Sequence, residues 1–142
     1  MKREDLTILV ACATNDKKHL VDDHFGEAAF FMIFQLNDEV ATEIATIENT
    51  AASDQEEDHS HGGGAKAKAI IEHFKTYNVD VFISRQFGPN IKKIRKHVLP
   101  VIMKTKLTIQ DDLDLCRARL SDIKELLAKP PQERKHLTLN KG

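Results

Sequence analysis

The sequence predicts an α/β domain, a mixed β-sheet with helices packed against it. Three observations carry this. Residues 6–13, 79–84 and 99–103 are short, nearly continuous apolar runs, as expected of strands covered on both faces. Residues 29–36 and 40–47 are aromatic- and β-branched-rich segments separated by Asn37-Asp38, which reads as an antiparallel hairpin. Three further stretches repeat apolar residues at three- and four-residue steps, the period of a helix with one buried face. The order is β-β-β-α-β-α-β-α, a hairpin followed by βαβ-type units.

Each element has its own local reason. The first strand, LTILVACA, is closed by the polar stretch 14–23. The acidic, polar residues 49–58 read as a loop. From Ala65, the positions Ala67, Ile70, Ile71 and Phe74 give the first helix, with Asn78 capping its end. After the fourth strand, Pro89 suits a first helical turn, where no N–H is needed, and Ile91, Ile94 and Val98 face inward. Leu99 to Met103 gives the fifth strand, with Pro100 near its start or on an edge position. Leu113, Cys116, Leu120, Ile123 and Leu127 form the stripe of one long final helix, ended by Pro130-Pro131. The polar tail beyond it is expected to fray.

With 142 residues, the chain fits a single domain over 1–128 and a polar tail over 129–142. It is 41% hydrophobic and 30% charged, an ordinary globular composition, and its formal charge of -1 gives a nucleic-acid partner no electrostatic support. Cys12 and Cys116 are far apart in sequence, so no disulfide framework is indicated and a reducing, cytoplasmic setting is expected. The segment Leu9-Val10-Ala11-Cys12 has the look of a lipoprotein cleavage site. The apolar stretch before it is too short, however, and Glu4 and Asp5 stand where positive charge is wanted. No stretch is long enough to cross a bilayer.

Right-handed crossovers place the first, fourth and fifth strands parallel and side by side, with the third parallel to them and the second reversed. The loops after the first, third and fourth strands then leave one edge of the sheet, where open α/β sheets bind ligands. Those loops carry His24-Phe25-Gly26, His59-Ser60-His61-Gly62-Gly63-Gly64 and Gly88-Pro89. Glycines let backbone approach a ligand, helix starts offer unpaired N–H groups, and His24, His59 and His61 supply imidazole ligands for a metal. Lys66 and Arg85 could add positive charge, whereas the acidic group at 54–58 would repel an anion or recruit cations. Cys12 and Cys116 read as core residues, and His19, His73, His97 and His136 are assigned no site. No nucleophile elbow, phosphate loop or dinucleotide fingerprint is present, so catalysis has little support and the chain is read as a non-enzyme.

With these motifs in order, the chain resembles the dinitrogenase iron-molybdenum cofactor biosynthesis family, the NifX-like proteins. The resemblance runs through Val10-Ala11-Cys12-Ala13-Thr14-Asn15, His24-Phe25-Gly26-Glu27-Ala28-Ala29-Phe30-Phe31, His61-Gly62-Gly63-Gly64, Val79-Asp80-Val81-Phe82-Ile83 and Phe87-Gly88-Pro89. It implies a ribonuclease H-like three-layer fold without nuclease activity, its five-stranded sheet in the order 3-2-1-4-5 with strand two antiparallel. It also implies a carrier of a metal-sulfur cluster such as the iron-molybdenum cofactor or its precursor, with His24 and His61 as the family's histidines and a cluster donor or acceptor protein as partner. This chain departs from the family at Glu27, where a basic residue is common, at Asn78 in place of a glycine, and in its longer last helix and tail. The alternative is a sensor or protein-interaction module of the same fold that binds a divalent ion through His59, His61 and nearby carboxylates.

Overall fold

The computed structural model describes residues 7–23, 25–49, 77–87, 95, 97–130, 133 and 137–140. Its centre is a mixed sheet of six strands: β1 (Ile8–Thr14), β2 (Phe30–Leu36), β3 (Ala41–Glu48), β4 (Val81–Ser84), β5 (Leu99–Lys104) and β6 (Leu137–Asn140). They lie in the order β3-β2-β1-β4-β5-β6. β2 runs antiparallel to β1 and β3, while β1, β4, β5 and β6 are parallel neighbours. The first five strands therefore take the expected order and directions.

The apolar runs go where two-sided burial demands. β1, β4 and most of β2 are buried, and β1 alternates between two cores. Val10 and Cys12 join Phe34, Val81, Ile83, Val101 and Met103 on one face, whereas Ala11 and Ala13 join Phe31, Ile33 and Phe82 on the other. A one-residue slip would exchange these sets, so side-chain alternation holds the register. Asp80 helps at the lower end of β4. Its carboxylate accepts the Leu9 N–H at 2.9 Å, its own N–H donates to the Leu9 carbonyl, and its carbonyl accepts from Leu99.

β3 is an edge strand of different character, with Val40 before it and Ile44 within it both about half exposed. Ile33 pairs with Ala45 and Phe34 with Glu43, leaving Ile44 as an extra residue that bulges the edge. A bulge disrupts the regular array of free N–H and C=O groups and discourages edge-to-edge pairing.

Two helices cover the Cys12 face: α1 (Ile109–Ala118) and α2 (Leu120–Leu127). The single long helix expected over this stripe is interrupted at Arg119, whose backbone leaves helical geometry at φ -113°, ψ 21°. Leu113, Cys116, Leu120 and Ile123 nevertheless keep one buried face across the break. α1 begins earlier than its apolar stripe. Thr108 caps it, accepting the Asp111 N–H and donating its hydroxyl to the Asp111 carboxylate.

The tail also departs from expectation. Instead of fraying, residues 137–140 add a sixth strand parallel to β5, pairing Val101 with Leu137 through Lys104 with Asn140, and Leu139 is buried in the helix-side core. Pro100 sits one residue before this ladder starts, so β5 can be paired on both sides despite lacking that N–H. Asn78 takes the left-handed φ of 53° expected of a helix C-cap and tolerated by Asn. The helices expected from Ala65 and after Pro89, and with them the second helical layer, lie outside the described residues.

A buried Leu139 makes the tail part of the fold. Leu139→Ala is expected to lower unfolding free energy by about 2–3 kcal/mol, read from urea denaturation, and removal of residues 129–142 to lower it further. A truncated chain as stable as the full one would mean that β6 contributes nothing.

Candidate functional site

The carboxyl end of the sheet is organised by one ring. Phe25 is fully buried on the Ala11/Ala13 face, in a 3-10 turn over Phe25–Glu27. Its ring lies 4.8 Å from Phe31 of β2, 4.4 Å from Phe82 of β4 and 5.4 Å from Phe87 beyond β4, all near-parallel. β1 runs between β2 and β4 and presents the small Ala11 and Ala13 to this face, so the volume above them is left to the aromatic cluster. Stacked aromatic rings add geometry-dependent attraction to area burial, which fixes the turn's position as well as its depth.

Hydrogen bonds complete the anchorage. The Phe25 N–H donates to the Gln86 carbonyl at 2.8 Å, tying the turn after β1 to the segment after β4. Asn15 Oδ1 accepts the Ala29 N–H at 2.8 Å. On the other side of that peptide, Asn49 donates its Nδ2 to the Ala28 carbonyl at 2.7 Å and its backbone N–H to Ala29. Two asparagines thus clamp the turn from the ends of β1 and β3. Neither was singled out as functional from sequence. The available signal was position, since Asn immediately after an apolar run bonds neighbouring backbone in place of a ladder.

The expected site residues divide sharply. Phe25 and Gly26 lie in the anchored turn, and Phe87 joins it. His24, His59, His61, Gly62, Gly63, Gly64 and Gly88 fall outside the described residues, as do Lys66 and the acidic group at 54–58. Among the described residues no three His, Cys, Asp or Glu side chains form a metal-holding group. Arg85, mostly buried, comes within 4.0 Å of the exposed Asp22 carboxylate just before His24. Cys12 and Cys116 are free and buried in the helix-side core, as expected of packing residues. Burial pushes both thiols up, Cys116 to about 12, so neither supplies a thiolate at neutral pH.

The residue range 6–118 matches the family described as Dinitrogenase iron-molybdenum cofactor, and it takes in β1 through α1. The chain belongs to that family. A search of curated proteins found no match. The family match ends at residue 118, where α1 also ends, so α2 and the β6 tail extend beyond it. No helix among the described residues is long and apolar enough to cross a membrane.

One buried carboxyl on the opposite face adds a pH dependence. Asp112 on α1 accepts the Thr105 hydroxyl through Oδ1, while its buried Oδ2 has no partner among the described residues. Burial pushes it up to about 6, against the lowering effects of Thr105 and Arg85. The folded state therefore holds this proton more tightly than the unfolded chain, whose aspartates titrate near 3.9. Its contribution is most favourable below that value and declines as pH rises through about 6. The wild-type unfolding midpoint should consequently fall relative to that of Asp112→Asn between about pH 4 and 6, and parallel profiles would remove Asp112 as the cause.

The stack has a separate expected consequence. Phe25→Ala should cost about 3–5 kcal/mol and weaken exchange protection of the Phe25 amide, whose acceptor is Gln86. Unchanged protection of that amide would show that the ring does not hold the turn.

Proposed function

We propose that this chain is a non-catalytic, cytoplasmic carrier that holds an iron-molybdenum-type or related metal-sulfur cluster and passes it to an acceptor protein. The cluster is cargo. His24 and His61 supply imidazole nitrogens to its metal, with His59 as a further ligand, and the N–H groups of Gly62, Gly63, Gly64 and Gly88 meet its sulfides. Gly26 gives the turn after His24 room for close approach.

The observation that carries this reading is the anchored Phe25. It ties the residue next to His24 to the segment just before Gly88, through both a ring stack and the bond to Gln86. Family membership supports the class of cargo. The state of the cysteines supports holding without thiolate ligands, because both thiols are buried and protonated. Fewer anionic protein ligands favour release over retention, as a carrier requires.

The strand order β3-β2-β1-β4-β5 with β2 reversed supports a ribonuclease H-like topology with β6 appended. β1 nevertheless ends Cys12-Ala13-Thr14, without the carboxylates that a two-metal nuclease places at strand ends. That composition supports the non-catalytic reading.

Anaerobic reconstitution with cluster tests the proposal. Wild type should retain metal and a sulfide-to-metal absorption band through desalting, and His24→Ala and His61→Ala should each lose most of both. Equal retention by all three proteins would overturn it.

A further inference from the structure

The loop after β1 contains a second histidine whose ring is held in a specific orientation. His19 Nδ1 lies 2.9 Å from Asp16 Oδ2, and the two side chains are 44% and 56% exposed. Exposed ion pairs of this kind are ordinarily loose. Here the backbone on both sides removes that freedom.

Asp16 Oδ1 accepts the N–H groups of Lys18 and His19, each at 2.8 Å. The buried Thr14 donates its hydroxyl to the His19 carbonyl at 2.6 Å and accepts the Lys17 N–H at 2.9 Å. Lys17 occupies the left-handed region at φ 66°, an unfavourable place for a lysine, and its ammonium sits 4.5 Å above the Phe30 ring. The Lys18 carbonyl accepts the Ile109 N–H, and His19 itself bridges to Thr108 at the start of α1. The loop is therefore joined to the sheet, to β2 and to α1 at once.

A carboxylate on Nδ1 favours the N–H there and leaves the Nε2 lone pair facing away from it. Among the described residues Nε2 has no hydrogen-bond partner. This is the arrangement that orients metal-ligating histidines, in which a second partner fixes the tautomer and raises the donor strength of the free nitrogen. Asp16 remains ionised throughout the neutral range, because the bonds from His19 and Lys18 hold its carboxyl far below the usual carboxylate range.

We propose that His19 is a docking ligand, through Nε2, for a divalent transition-metal centre with an open coordination position. Nickel, cobalt and zinc are the matching class, since imidazole is a borderline donor and one anionic carboxylate behind it partly offsets their charge. No described cluster of three ligands surrounds it. The remaining positions belong to water or to ligands that the incoming centre brings, so binding is exchangeable. The inference stands on the Asp16–His19 geometry and is independent of cluster carriage by His24 and His61.

The test uses the full chain carrying His24→Ala, His59→Ala and His61→Ala, so that those imidazoles cannot take the ion, at slightly alkaline pH. Cobalt(II) is titrated while histidine ring resonances are followed by NMR, with the exposed His97 as an internal reference. His19 should show a protonated Nδ1 and a bare Nε2, and its ring signals should broaden at about tenfold lower cobalt than those of His97. Asp16→Asn, which keeps a backbone acceptor but removes the carboxylate, should bring His19 to the level of His97. A proton on Nε2 in the parent protein, equal broadening of the two histidines, or an Asp16→Asn titration identical to the parent would each overturn the proposal.

Discussion

The carboxyl edge of this sheet depends on the burial of one aromatic ring. Phe25 can reach the sheet only because β1 shows Ala11 and Ala13 on that face, and it meets Phe31, Phe82 and Phe87 from three other segments. A larger residue at Ala11 or Ala13 would compete for the same volume, and interiors are packed densely enough that a methyl group is felt. The ring carries its backbone with it. Once Phe25 is seated, its N–H falls within reach of Gln86, and the turn that follows His24 is committed to the side of the molecule where β4 ends.

The two faces of the sheet do different work. Larger aliphatic side chains, two thiols and the two described helices fill the Cys12 face, and Asp112 and Thr105 are also buried in the structure. Among the described residues, the aromatic face meets the Phe25–Glu27 turn and Phe87. This division explains why the cysteines contribute no thiolate. Cys12 is next to Ala11 and Ala13 in sequence, but strand alternation points it into the opposite core, where desolvation keeps the thiol protonated. Adjacency in sequence to Ala11 and Ala13 therefore does not bring the thiol to their face.

Thr14 and Asn15 show how the end of a strand becomes a device for positioning loops. Both follow the apolar run of β1, and each uses its side chain to satisfy backbone that no strand partner reaches: Thr14 at Lys17 and His19, Asn15 at Ala29. Buried and half-buried backbone groups need partners, and short polar side chains at a strand end are the cheapest source of them. One of these residues stiffens the loop that orients His19. The other, with Asn49, stiffens the turn that contains Phe25.

Local pattern was sufficient for much of the fold. The apolar runs of β1, β4 and β5, the hairpin of β2 and β3, and the packed role of Cys12 and Cys116 were legible because they follow from hydrophobic period and run length. The sequence by itself thus determined the α/β class and the order and directions of the first five strands. Tertiary structure alone decided three other matters. The four residues of β6 are too short and too polar in their surroundings to announce a strand, and become one because β5 offers an open edge and a buried place for Leu139. The apolar stripe over α1 and α2 continues through Arg119, so period alone could not reveal the break. The meeting of Phe25 with Phe31, Phe82 and Phe87 joins residues that are distant in sequence. A pattern read along the chain reports which side chains seek burial, but the partner each one finds is set by the packing of distant segments in three dimensions.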